Sequence, residues 1–285
     1  MGEYLTLASD ASAALFPDNR IGSFRCKLPK SLHLKRERHQ IGLSYISWPH
    51  KLANIEEGHF RIRATFPDED QASRPKSTLS PGLAPRGIQE TIGKKIAPGH
   101  YRDVPEVLAA LNDKIRACRF RAPALKNVSL ATGAAQFEYD HTSERVIFAV
   151  KDALPCELKI SLSWELHAKL GYSLGRHEPT WVRAGQIGDH IVNLFSGKNA
   201  LFVYSNVVSG QRIVGNVLAA LLRIVPFHGE HNSVVQWEPQ KIEYCDLAYD
   251  DIDEIKIDIL DDTGQIFKFL SGKVFITLHI KDKFE

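Results

Sequence analysis

The segment Phe202–Val234, FVYSNVVSGQRIVGNVLAALLRIVPFHGEHNSV, is the most apolar part of the chain, broken by the polar, turn-prone runs SGQR and PFHGEHN. FVYSNVV and RIV are β-branched and favour strands, whereas VLAALLRIV taken alone holds helix-forming Ala and Leu. We read the whole as strands. A strand with one buried face alternates apolar and polar residues, yet VLAALLRIV is apolar on both parities except at Arg223. Part of Val207–Val225 is therefore expected to be covered by a second surface, the adjacent copy or the insert of the same chain, with Leu218 and Leu222 as candidate interface residues.

Working outward, both ends of the chain are β. HFRIRATF (59–66) alternates Phe60, Ile62, Ala64 and Phe66 with polar residues. YLTL, SFRCKL and QIGLSYISW are shorter candidates separated by FPDNR and LPKS. At the other end, DDIDEIKIDILDDTGQIFKFLSGKVFITLHI (250–280) alternates Ile255, Ile257 and Ile259, turns at DDTG, resumes at Ile266 and alternates again from Val274. This predicts a hairpin followed by a third strand.

The middle differs. Residues 68–90 replace any apolar period with Pro, Ser, Gly and charge, the composition of a linker or mobile loop. In RDVPEVLAALNDKIRAC, Val104, Val107, Leu108, Leu111 and Ile115 share one helical face, with Asp103 as N-cap and Glu106 completing a capping box. AAQFEYDHTSERVIFAV predicts two strands around a turn and CELKISL another; SWELHAKLG predicts a short helix started by Ser163 and stopped by Gly171. The expected organisation is N-terminal strands over 1–67, a loop over 68–90, a small α/β insert over 91–175 and C-terminal strands over 176–285.

The 285 residues can hold two domains or one large β-sandwich with an insertion, and 44% apolar with 25% charged residues is the composition of a packed globular protein. A formal charge of +2 argues against a global nucleic-acid-binding field. The four cysteines, Cys26, Cys118, Cys156 and Cys245, form no C-x-x-C pair and read as buried reduced thiols. No secretory signal or membrane-spanning run is apparent.

Catalytic patterns find little support. His228 and His231 of HGEH stand at i and i+3 beside Pro226 and Gly229, not at the i, i+4 helical spacing of a metalloprotease, so a polar hairpin tip is the better reading. The acidic run 250–262 lacks the order of a calcium loop and reads as a solvated strand face. There is no G-x-G-x-x-G, P-loop or G-x-S-x-G, and no cofactor or metal is expected. One basic run stands out: Arg20, Arg25, Lys27, Lys30, Lys35, Arg36 and Arg38 are opposed only by Glu37, a solvated face or a surface for nucleic-acid phosphates. Trp48, Trp164, Trp181 and Trp237 could instead serve a glycan-binding β-sandwich, although Trp164 and Trp237 are expected to be core or interface anchors.

The opening YLTLASDASAALFPDNRIGSFRCKLPKSLHL with IGLSYISWP, the middle IAPGHYRDVPEVLAALN with FEYDHTSERV and LSWELHAKLGYS, and the end VYSNVVSGQRIVGNVLAALLRIVP with IDEIKIDILDDTGQIFKFLSGKVFITLHI run in order along the chain. In these stretches the sequence resembles the minor capsid (penton) proteins of Polinton, or Maverick, elements and adintoviruses. The resemblance implies a mainly β fold, a single jelly-roll sandwich carrying the α/β insert. It also implies a homopentamer at the vertices of an icosahedral shell, without catalysis or cofactor. The partners would be other copies of the chain, a major capsid protein and packaged DNA, with no membrane. The location implied is the virion capsid, made in the host cytoplasm and with the nucleus as one place of assembly.

Overall fold

The computed structural model describes residues 2–66, 88–91, 93–120, 128–131, 133–151, 154, 156–173 and 181–284. The chain begins β1 (Glu3–Ala8), β2 (Ser23–His33), β3 (His39–Pro49), β4 (His59–Thr65), β5 (Ile88–Glu90), β6 (Lys94–Lys95) and α1 (Val104–Arg116). It continues through β7 (Arg119–Phe120), β8 (Val128–Ser129), β9 (Ala135–Asp140), β10 (Arg145–Val150), β11 (Glu157–Leu162), α2 (Trp164–Lys169) and β12 (Trp181–Arg183). The last strands are β13 (Ala200–Ser205), β14 (Arg212–Val214), β15 (Val217–Ala219), β16 (Leu221–Pro226), β17 (Val234–Trp237), β18 (Tyr244–Asp246), β19 (Asp251–Leu260) and β20 (Phe275–Asp282). These divide into two compact units, Met1–Ala53 with Gly197–Glu285, and Asn54–Ser196.

In the first unit the antiparallel pairs are nested in sequence: β1 with β20, β2 with β19, β3 with β17 and β18, and β13 with β16. Two further pairings, β20 with β3 and β13 with β19, join them into sheets of order β1-β20-β3-β17 and β16-β13-β19-β2. One long hairpin rolled so that successive strands alternate between two sheets is the winding of a jelly roll. The class follows from strand order alone: a single jelly-roll sandwich interrupted between β3 and β13 by an inserted unit.

Alternation builds its core. Ile255, Ile257 and Ile259 of β19 are fully buried, as are Ile41, Ile46 and Trp48 of β3 and Ile276 and Leu278 of β20. The strands expected from YLTL, SFRCKL and QIGLSYISW are β1, β2 and β3. The expected hairpin after Asp250 is corrected: β20 pairs with β1 and β3, in the other sheet from β19. QIFKF forms no strand and contributes the isolated bridges Leu260–Ile266 and Leu52–Phe269, while Phe267 and Phe269 are buried. This run connects the sheets, so its apolar residues plug the end of the sandwich instead of extending a ladder.

The second unit has its own core, in which α1 packs through Val107, Leu108, Leu111 and Ile115. Asp103 caps α1 by accepting from the Glu106 N–H at 2.9 Å, but the Glu106 carboxylate accepts from the N–H of Arg102 (2.7 Å), one residue before the position expected for a capping box. Buried Asn112 ties α1 to β9, with Nδ2 donating to the Phe137 carbonyl (2.9 Å) and Oδ1 accepting its N–H (2.7 Å). Ser163 caps α2, and Gly171, at φ +82, ends it where a Cβ would lie 2.1 Å from the His190 carbonyl oxygen.

The expected boundaries are corrected by this division. β4 pairs with β11, β5 and β6, so the strand assigned to 1–67 belongs to the inserted unit, which spans 54–196 and not 91–175. β12 also pairs with β11, so the return to the sandwich comes at Gly197 and not at residue 176. Most of the 68–90 segment lies outside the described residues, and its last three residues form β5. Period-two alternation records that one face is buried, not which sheet buries it.

All four cysteines are free and buried, and burial pushes each thiol above its ordinary range. They are inert structural groups.

Candidate subunit interface

The apolar stretch is divided by the structure. Val207, Val208, Leu221, Leu222 and Val225 are buried, whereas the segment between them forms a hairpin, β14–β15, that pairs with no other strand. Val214 faces Val217 across Gly215-Asn216, and Gly215 takes φ +63 at the first central position of this two-residue turn. Ile213 and Leu218 lie directly opposite one another and so share a face, on which they are 76% and 68% exposed. Val217, on the other face, is 56% exposed.

The root of the hairpin is anchored. Arg212 pairs with Glu243 at 3.3 Å, and Arg223 forms an ion pair with the same carboxylate. Arg212 also donates to the Leu222 carbonyl at 3.4 Å. An isolated two-stranded hairpin is marginal in water, and this one, anchored at its root, presents an apolar pair to solvent in the single chain.

Leu222 is a correction. It is fully buried within its own unit and is not available to a neighbour. Val203 pairs with Arg223 and Tyr204 with Leu221, which leaves Leu222 as the extra residue of a β-bulge. The bulge turns two consecutive leucines inward and absorbs the break in parity seen in the sequence. Leu218 remains on the candidate surface.

The basic run is partly neutralised. Arg25 pairs with Asp18 (2.9 Å) and stacks over Phe16 (4.4 Å), and Arg38 pairs with Asp282. In the β2–β19 ladder Arg25 faces Lys256 and Lys27 faces Glu254, while Ser31 donates to Asp253 and His33 meets Asp251. The acidic run 250–262 is thus the ladder partner of the basic one. Lys27, Lys30, Lys35 and Arg36 stay exposed without ion pairs among the described residues.

Of the tryptophans, Trp48 is wholly buried and stacks on Phe227 at 6.2 Å. Trp164, expected to be an anchor, is 68% exposed, because it occupies the first, outward position of α2. Trp237 is half-buried, with the Arg223 guanidinium 5.7 Å from its ring.

HGEH lies in the connection from β16 to β17, which passes between sheets and is not a hairpin tip. Among the described residues no group of three or more His, Cys, Asp or Glu is placed to hold a metal ion. His228 turns its ring edge to Trp48 at 5.9 Å, and buried His50 packs 4.6 Å from Phe227. Burial lowers the pKa of His50; a bond to the Glu230 carbonyl opposes this, and His231 and His228 add to it.

The unfolded chain takes up a proton near pH 6.5, as an ordinary histidine does, while the folded unit resists it. Stability is therefore complete above about pH 6.5 and falls as the pH drops below that value. The urea midpoint is expected to be lower at pH 5.5 than at pH 7.5, with a smaller difference in His50→Phe. An equal difference in both proteins would remove His50 as the cause.

No helix of the described residues is long and apolar enough to cross a membrane. No family model matches the sequence, and no curated protein matches it. Among solved structures, the chain is similar to the mavirus penton protein at 8% identity, covering 99% of this chain and 100% of that one with a TM-score of 0.47. It is also similar to a chain in the 3.5 Å cryo-EM structure of the Sputnik virophage at 11% identity, covering 99% and 98% with a TM-score of 0.44. Both similarities are weak, and the assignment of the jelly roll rests on the strand order.

Proposed function

We propose that the protein is a structural capsid subunit, a penton that closes a homopentamer through the β14–β15 hairpin and acts without catalysis. The observation that carries this reading is the Ile213–Leu218 pair, exposed on an anchored hairpin outside a sandwich whose own core is complete. The sequence motifs that resemble penton proteins supply the class, and the jelly-roll winding is the fold such a role requires. Ring closure needs a heterologous contact, in which one surface of a subunit meets a different surface of the next. Light scattering tests the reading directly: a mass of five times 32.0 kDa supports it, and a monomer at high concentration defeats it.

The reading places the chain in the virion capsid beside a major capsid protein. Contact with packaged DNA belongs to it in reduced form, through Lys27, Lys30, Lys35 and Arg36. Each phosphate contact makes affinity fall with salt. Replacing Lys35 and Arg36 by Ala is expected to weaken DNA binding and to flatten its salt dependence by about two phosphate contacts' worth of slope. Unchanged binding would remove DNA from the partners.

A further inference from the structure

We propose that the outer face of the β12-β11-β4 sheet in the inserted unit is a binding site for an anionic saccharide, sulfated or carboxylated. The inference concerns 54–196 and stands apart from the pentamer.

Arg63, Lys159 and Arg183 lie directly opposite one another across β4, β11 and β12. Arg61, Ser161 and Trp181 form the next row on the same face, and His59 and Lys95 the row beyond it. The face therefore carries the cations Lys95, Arg61, Arg63, Lys159 and Arg183. Like charges placed opposite in a ladder destabilise it; Glu90 stands opposite Arg63 in the same row and offsets one of the three, which leaves Lys159 and Arg183 as a like-charged pair. The carboxylates at hand are already engaged: Glu90 pairs with Arg63 at 2.6 Å, and Glu157 with Lys159 at 3.1 Å. Arg61 and Arg183 are exposed and have no ion-pair partner among the described residues.

The second observation is shape. Beside these rows lies a cleft of about 330 Å³ lined by His59, Arg61, Ser161, Ser163 and Trp181. This is within the size range of small-ligand sites. Ser161 stands between Arg61 and Trp181, and its small side chain leaves the floor open. Trp181 is held by the Arg63 guanidinium, 4.2 Å from its ring centre, so an aromatic wall faces the cleft in a fixed position.

These parts select a ligand class. A guanidinium fork matches a sulfate or carboxylate in geometry and charge. The indole and the mostly apolar wall of the cleft offer a surface to the C–H face of a sugar ring, and the exposed His59 at its edge matches a sugar hydroxyl. A strand of nucleic acid would want a run of aromatic platforms along a groove, and among the described residues this face has one tryptophan beside a cleft of about 330 Å³.

The test uses the full chain with a heparin-derived tetrasaccharide, sialyllactose, neutral lactose and a single-stranded DNA 12-mer, read by calorimetry and by tryptophan fluorescence. Expected are binding of at least one acidic saccharide, no binding of lactose, and at least a tenfold loss of affinity in Arg61→Ala. Trp181→Phe, which keeps a ring in the sheet, should weaken binding and abolish the fluorescence response, with the thermal midpoint showing that both variants fold. Failure of both acidic saccharides to bind would overturn the proposal. So would binding unaffected by either substitution, or tighter binding of the DNA with the same dependence on Arg61.

Discussion

On the proposed pentameric reading, Ile213→Asp combined with Leu218→Asp is expected to give a monomer whose subunit still folds and unfolds cooperatively. Both side chains are exposed in the single chain, at 76% and 68%, so two carboxylates there stay solvated and cost the fold little. At an interface the same carboxylates would be stripped of water without partners, a cost of several kcal/mol per contact. Every subunit carries the change, so the penalty recurs at all five contacts of the ring. The lost apolar burial adds to it, at about 1.5–3 kcal/mol for each large aliphatic side chain. Sedimentation or light scattering gives the mass, and thermal melting checks the fold. A doubly substituted protein that still forms pentamers would show that the hairpin points away from the contact.

The second large effect separates core from surface along the same stretch. Leu222→Asp, four residues beyond Leu218, is expected to unfold the jelly-roll unit. Leu222 is fully buried at the bulge of β16, and an unpaired buried charge costs several kcal/mol against a typical total stability of about 5–15 kcal/mol. Leu222→Met, which conserves volume, is expected to cost less than about 1.5 kcal/mol. Circular dichroism and urea midpoints report both. Should Leu222→Asp melt within a few degrees of the parent chain, the bulge does not bury this residue in solution.

The two leucines mark where reading from sequence stops. Helix α1 was legible in its span, apolar face and N-cap because these determinants are local: an apolar stripe every three to four residues and Asp103 before it; only the partner of Glu106 shifted, to the Arg102 N–H. Strands β4 and β19 were legible because alternation is written into each segment, and buried Phe60, Ile62, Ala64, Ile255, Ile257 and Ile259 follow it; β1, β2 and β3 were legible only as β-prone runs between turn-forming breaks. The surplus of apolar residues in VLAALLRIV was also real. Its allocation depended on distant chain: the bulge against Val203 took Leu222 inward, and the hairpin left Leu218 outside.

The same division holds for the candidate sites. The sequence by itself determined that residues 20–38 are basic and 250–262 acidic, but their mutual cover arose only when β2 paired with β19. It determined that 59–66 is a strand with one buried face; pairing with β11 decided that the strand belongs to the inserted unit and set Arg63, Lys159 and Arg183 in one row. Local periodicity and capping act over a few residues and are fixed by backbone geometry, so they can be read in the order of the chain. Strand partners, bulges and exposure are set by segments brought together from far apart, where burial and ladder hydrogen bonds are optimised for the whole unit, and only the tertiary structure decides them.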